Sequence, residues 1–300
     1  MVRLSVIARE KIFAVSLIIP SILFVTVFAF YPLLYSFYLS LHRIILGLPG
    51  LGQPFIWFEN YRELFADRIA LHAMINTFLF VFLSTFFEIL FGLCIALVIN
   101  QHFRGRGVVR AAVLVPWAIP TVVSSQMWRF IFHDKYGLVN YAIYGSQVSH
   151  YKAWLADPVF AFSAIVVADV WKTSSFAGLL ILAGLQMIPD ELYEAARIDG
   201  ASAWQQFKKI TLPLIRPALL IALLFRTMDA FRVFDLVFVM TQGGPADATN
   251  VLQFYGYKKI FAEGLMGYGS TISVLVFVIT LFISLAYIRV LGTRLFEERI

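Results

Sequence analysis

The chain has 300 residues, of which 60% are apolar, 16% aromatic and only 14% charged, with a mean hydropathy of +0.81. Soluble domains are usually about 45–50% apolar and about 25% charged, so an ordinary water-facing globule is excluded. A single cysteine, Cys94, excludes a disulfide scaffold, and the net charge of +6 fits basic loops beside an anionic leaflet rather than a nucleic-acid footprint. The composition is that of an integral membrane protein.

A bilayer core takes about 20 mainly apolar residues in a helix. Six stretches reach that length, roughly 12–41, 74–99, 108–132, 159–187, 214–240 and 270–291. The first follows Arg3, Arg9 and Lys11. Its apolar run is too long for a signal-peptide core and no A-x-A pattern follows, so it reads as a retained signal anchor. Residues 42–73 carry Gly47, Pro49, Gly50, Gly52 and Pro54, then the amphipathic run from Phe58 to Phe65. That pattern predicts turns followed by an interfacial helix with aromatic anchors. The third span contains Pro116, Trp117 and Pro120, read as a kink that a membrane helix tolerates. The alternating segments of about ten residues that a membrane barrel needs are missing. The expectation is one all-α domain over 1–300.

Orientation follows from Lys and Arg. Segments 1–11, 100–110, 188–216 and 289–300 hold 13 of them, against 7 in segments 42–73, 133–158 and 241–269. Positive residues mark the inside, which places both termini in the cytoplasm.

The cytoplasmic segment 188–216 is patterned as two short helices. Asp190 stands at the start of the first as a possible cap, with Glu191 and Glu194 in its early turns. Gly200 ends it, as the residue that best tolerates a left-handed turn. Ser202 and Gln205 have capping-box spacing for the second, and Leu212-Pro213 closes it. Ala195-Ala196 presents a flat face that another protein can approach closely. On pattern alone, a docking element and an amphipathic loop resting on headgroups are both open.

Charged residues inside the spans are the other signal. Arg226, Asp229, Arg232 and Asp235 recur every third residue in the fifth span. Each costs about 2.5–3.5 kcal/mol at mid-bilayer if it faces lipid, so the helix must be shielded by protein or line a wet cavity. Three-residue steps turn each charge about 60° behind the last, so neighbours pair while Arg226 and Asp235 face opposite ways. A self-compensating structural ladder and a polar substrate pathway both fit. In the fourth span Asp169 and Lys172 form a similar pair, with Phe176 one turn on. Charged groups beside a ring suit a sugar, which offers hydroxyls at its edge and C–H groups on its face. Glu88 is the lone acid of the second span, read as a structural hydrogen-bonding group reaching a neighbouring helix or Arg129. His42, His72, His102, His133 and His150 lack ligand spacing, so no metal is expected. No nucleophile–base constellation suggests an enzyme.

The run Glu194-Ala195-Ala196, three residues, Gly200, nine residues, Ile210-Thr211-Leu212-Pro213 resembles the EAA motif of permease subunits of binding-protein-dependent ABC importers. Asp169-Val170-Trp171-Lys172, Leu185-Gln186-Met187-Ile188-Pro189, Ile198-Asp199-Gly200-Ala201 and Thr241-Gln242-Gly243-Gly244-Pro245 extend the resemblance to the maltose, trehalose and glycerol-3-phosphate branch. It implies a type I ABC importer permease fold and half of a heterodimeric channel in a bacterial or archaeal cell membrane. The implied partners are a second permease subunit, an ATP-binding cassette ATPase dimer, an extracytoplasmic sugar-binding protein, the sugar and membrane lipid, with no nucleic acid. Glu194, Ala195, Ala196, Asp199 and Gly200 match the coupling element that seats in the ATPase. The implied sugar site comprises Asp169, Lys172 and Phe176 before the loop and Arg226, Asp229, Ala230 and Val233 after it. Glu88, Arg232 and Asp235 complete an intramembrane charge network. The run from Phe225 to Asp235 looks most like permeases for trehalose and related α-glucosides. No phosphate-binding loop is present, so ATP and Mg belong to the ATPase and this chain needs no cofactor. The rival reading is a secondary sugar transporter coupling to ions through its carboxylates, which would usually show repeated halves. No repeat is visible.

Overall fold

The computed structural model describes residues 6–48, 50 and 52–297; Arg3 and Pro49 lie outside them. It divides into two compact units, one built from the chain up to Ala66 with Gly256–Leu275, the other from Asp67–Tyr255 with the chain from Val276 on. The described residues are helical apart from turns and two isolated β-bridges. Four helices are long and apolar enough to cross a membrane, and up to six spans result if each of two sharply bent helix pairs counts as one.

In the first unit, α1 (Phe13–Ser40) carries side chains that stay exposed from Phe13 to Pro32, as lipid contact requires. The amphipathic run forms α2 (Glu59–Ala66), close to the expected position. Buried Asn60 pins α2 to the end of α1 by donating to the carbonyls of Ser40 at 2.8 Å and His42 at 3.1 Å. Gly267 fits against the same turn because a Cβ there would lie 2.1 Å from the His42 carbonyl oxygen.

The second unit is organised by α3 (Arg68–Asn100). It starts six residues before the predicted span because Asp67 caps it, accepting from the Ile69 and Ala70 N–H groups at 2.9 and 3.4 Å. Tyr255 donates to the other Asp67 oxygen at 2.5 Å.

The third predicted span is a correction. It is two helices, α4 (Arg106–Ala118) and α5 (Thr121–Ile131), meeting at 88°. Proline cannot donate to the helix ladder and drives the residue before it out of the helical region. Ile119 is accordingly extended at φ −70°, ψ 131°, and Pro120 starts a new helix rather than kinking the old one. Pro116 stays inside α4.

The fourth span forms as α6 (Pro158–Leu185), capped by Asp157. After it come α7 (Asp190–Ile198) and α8 (Ala203–Leu214) of the loop over 188–216. The chain then turns by 63° at Ile215, not at Leu212-Pro213, into α9 (Arg216–Ala230). The fifth span is also corrected: α9 ends at Ala230, and α10 (Asp235–Met240) resumes only after an unwound stretch. The last turn tightens there, Arg232 N–H bonding to Asp229 C=O at 3.0 Å and Val233 N–H to Ala230 C=O at 3.2 Å. The final span forms as α11 (Met266–Glu297).

The α3–α6 pair is closely packed. Ala96 and Ile99 meet Ile181, Leu182 and Leu185 in one buried cluster. At Gly92 a Cβ would lie 2.9 Å from both the Ala177 Cβ and the Gly178 backbone nitrogen. Small residues give membrane helices this closeness. Gly92→Val is therefore expected to destabilise the protein by about 1–3 kcal/mol through overpacking. The check is the thermal midpoint in detergent, with Gly107→Val, where nothing lies within 4 Å, as control. Equal midpoints would contradict the close approach.

Candidate functional site

Arg226 organises the polar interior of the second unit. Its side chain is 4% exposed and makes a forked pair with fully buried Glu88, Nε to Oε2 at 2.6 Å and one terminal nitrogen to Oε1 at 3.1 Å. The other terminal nitrogen donates to Asp229 at 3.2 Å, and Asp169 Oδ2 stands 3.7 Å away. Thr173 donates to Glu88 at 2.8 Å. One guanidinium thus ties together α3, α6 and α9.

This geometry changes several expectations. Glu88 does reach a neighbouring helix, but its partner is Arg226; Arg129 donates instead to the Val239 carbonyl at 3.3 Å. The intrahelical ladder extends from Arg226 through Asp229 to Arg232, whose guanidinium lies 3.1 Å from Asp229 Oδ1. It stops there. Asp235 lies beyond the unwound stretch and has no ion pair within 4 Å among the described residues. Asp169 and Lys172 do not pair either. The Lys172 ammonium donates to the carbonyl of Trp117 at 3.2 Å and to that of Ile119. Those carbonyls lie at the broken end of α4, where a helix leaves acceptors without partners and favours a cation.

The two helix breaks meet at a half-open cavity of about 580 Å³, within the roughly 300–1,000 Å³ range of small-molecule sites. Residues 117–121 line it from one break and residues 232–236 from the other. Irregular backbone at membrane depth is tolerated where it lines a cavity or is buried in protein. Of the expected site residues, Asp169, Lys172, Arg226, Asp229, Ala230 and Val233 line the wall, as do Arg232 and Asp235 of the charge network. Phe176 does not. Its ring stacks against Trp117, centroids 5.2 Å apart and planes 13° from parallel, so the aromatic lining of the cavity comes from Trp117 and Phe234. Glu88 sits behind Arg226. Sequence reasoning missed Trp117, Ile119, Pro120 and Thr121 as wall residues, although two prolines bracketing a tryptophan in one span were the available signal.

The loop over 188–216 follows its pattern closely. Gly200 takes φ +78°, and Ala201 N–H to Ala196 C=O at 2.8 Å with Gly200 N–H to Arg197 C=O at 3.1 Å closes a Schellman turn. The Ser202–Gln205 capping box forms with bonds of 2.7 and 3.4 Å. Asp190 is the first helical residue rather than the cap, a position held by Pro189. Tyr193 and Thr211 hydroxyls, 2.9 Å apart, fasten the two helices together. Glu194, Ala195, Asp199 and Gly200 are exposed, Ala196 is half-buried, and Ile198 is 86% exposed.

Residues 88–297 match the family described as the binding-protein-dependent transport system inner membrane component. The chain belongs to that family. It is a permease, an inner membrane component of a transport system fed by a binding protein, which sets aside the ion-coupled carrier. It is 43% identical over 282 residues to the trehalose/maltose transport system permease protein MalF of Thermococcus litoralis, covering 94% of each chain. The trehalose transport system permease protein SugA of Mycobacterium tuberculosis is 38% identical, over 94% of this permease and 90% of that one. The sulfoquinovosyl glycerol transport system permease protein SmoG of Agrobacterium fabrum is 36% identical, over 95% and 92%. A solved bacterial ABC transporter that imports the acidic polysaccharide alginate contains a chain of the same fold, with a TM-score of 0.81, 22% identity and coverage of 95% and 96%.

Removing one partner of a buried pair strands the other charge, at a cost of about 3–5 kcal/mol, whereas replacing both with apolar residues is often neutral. Glu88→Met and Arg226→Met should each lower the thermal midpoint of the permease in detergent. The double variant should recover most of the loss. Single variants with wild-type midpoints would contradict the clamp.

Proposed function

We propose that this permease forms half of the sugar pathway of an ATP-driven importer, for an uncharged di- or oligosaccharide such as trehalose or maltose. The observation that carries the reading is the cavity at the two helix breaks, where Asp229 offers acceptors, Arg232 offers donors, and an indole offers a face. Acids and bases alternate around its wall, so the site has no single-sign field for an anion. The names of the relatives support the same class: one serves trehalose and maltose, another trehalose.

A second permease subunit completes the half-open cavity as a heterodimer, and lipid surrounds the exposed apolar faces. A sugar-binding protein delivers substrate from outside. An ATPase dimer docks on α7, where Glu194, Ala195, Ala196, Asp199 and Gly200 form the contact and exposed Ile198 adds apolar surface. ATP and Mg bind to that partner. Both termini face the cytoplasm, on the side of the basic loops. ATPase closure moves α7, and α6 and α9, which flank the loop and carry the cavity charges, rotate with it to expose the site outward.

Gly200→Val puts a β-branched residue where φ is +78°, which only glycine adopts without strain. Glu194→Lys reverses an exposed charge on α7. Both variants should assemble, since neither position lies in a span, and both should lose the stimulation of ATP hydrolysis by sugar-loaded binding protein. The assay is ATPase activity of the reconstituted complex with and without loaded binding protein. Wild-type stimulation in both variants would remove α7 as the coupling element.

A further inference from the structure

We propose that Trp117 is the stacking platform of a pyranose subsite, its indole meeting the C–H face of the sugar. The proposal rests on the sugar reading above and adds a residue that no transport motif in this chain marks.

Trp117 is the last large side chain before the break in the third span, and 48% of it remains exposed. A tryptophan that only fills space in a bundle is covered on both faces. Here Phe176 covers one face in near-parallel stacking, and the residue lines the cavity. The ring is held from three directions. Phe176 stacks behind it, the Lys172 ammonium holds its carbonyl, and the extended Ile119 fixes where the helix ends. A large, rigid aromatic surface is thereby ordered before any ligand arrives, which lowers the ordering cost of binding.

The polar rim of the same cavity supplies the second observation. Asp229 and Arg232 line it with side chains 49% and 61% exposed, so an acceptor and donors face the space beside the indole. Asp169 also lines the cavity, but its Oδ2 is buried 3.7 Å from Arg226 and faces that guanidinium. A pyranose carries C–H groups on one face and hydroxyls at the rim. An indole and exposed polar groups in one cavity fit that shape.

The test uses the full transporter, with its second permease, ATPase and binding protein, and radiolabelled trehalose and maltose as probes. Trp117→Leu keeps apolar bulk but removes the π face. Uptake of the imported sugar should fall about fivefold, the size of change that losing about 1 kcal/mol of stacking produces, in complex assembled at the wild-type amount. Trp117→Phe should retain most of the rate. If Trp117→Leu fails to assemble, Trp117→Met takes its place against Trp117→Phe. Wild-type uptake by the leucine or methionine variant, or an equal fall in the phenylalanine variant, overturns the subsite while leaving the sugar reading intact. A wild-type complex that imports neither sugar overturns that reading, and the subsite with it.

Discussion

A guanidinium cannot be left alone in a bilayer, and the arrangement of the second unit follows from where Arg226 finds its partners. Its forked bond to Glu88 crosses from α9 to α3, and its contacts with Asp229 and Asp169 reach along its own helix and across to α6. A buried ion pair is weak evidence for stability, because desolvation offsets most of the attraction. Its consequence here is positional. Three helices are held at one depth, and the carboxylates gathered there cannot be dispersed into lipid. With Arg226 committed to Glu88, exchanging Arg226 and Asp229 would set one carboxylate against another rather than conserve a ladder.

The backbone breaks depend on the same place. Helices are the usual way to satisfy peptide groups in lipid, and both the third and fifth spans abandon the helix partway. They do so in the lining of one cavity, and the freed groups are accounted for locally. Lys172 donates to the last carbonyls of α4, and tightened turns close α9. The result is a polar, irregular wall with an aromatic face, placed on the helices that flank the loop over 188–216. The proposed substrate wall and the proposed coupling loop thus share α6 and α9.

Local chemistry made much of this legible. The capping box at Ser202, the left-handed Gly200 and the small face at Ala195-Ala196 are encoded within a dozen residues, and the loop folds as they indicate. The long apolar helices were equally plain, because length and hydropathy are local too. Charge partners were not. From Arg226 to Asp235 every third residue is charged, which points to pairing along the chain, yet the shortest bond of Arg226 reaches a residue 138 positions away. Lys172 was assigned to Asp169 by spacing and instead serves carbonyls on another element. Pro120 announced a distortion, but whether a proline kinks or breaks a membrane helix depends on neighbours that can satisfy the freed backbone. Here Lys172 is that neighbour, and Trp117 enters the cavity wall because the helix ends beside it.

The most direct test of the account is a structure of the assembled transporter trapped with trehalose or maltose between its permease halves. The account predicts sugar density in the cavity bounded by Trp117, Asp169 and Asp229, with the Arg226 guanidinium still forked onto Glu88. Sugar bound away from this wall, or a guanidinium released from Glu88 to grip the sugar, would contradict it.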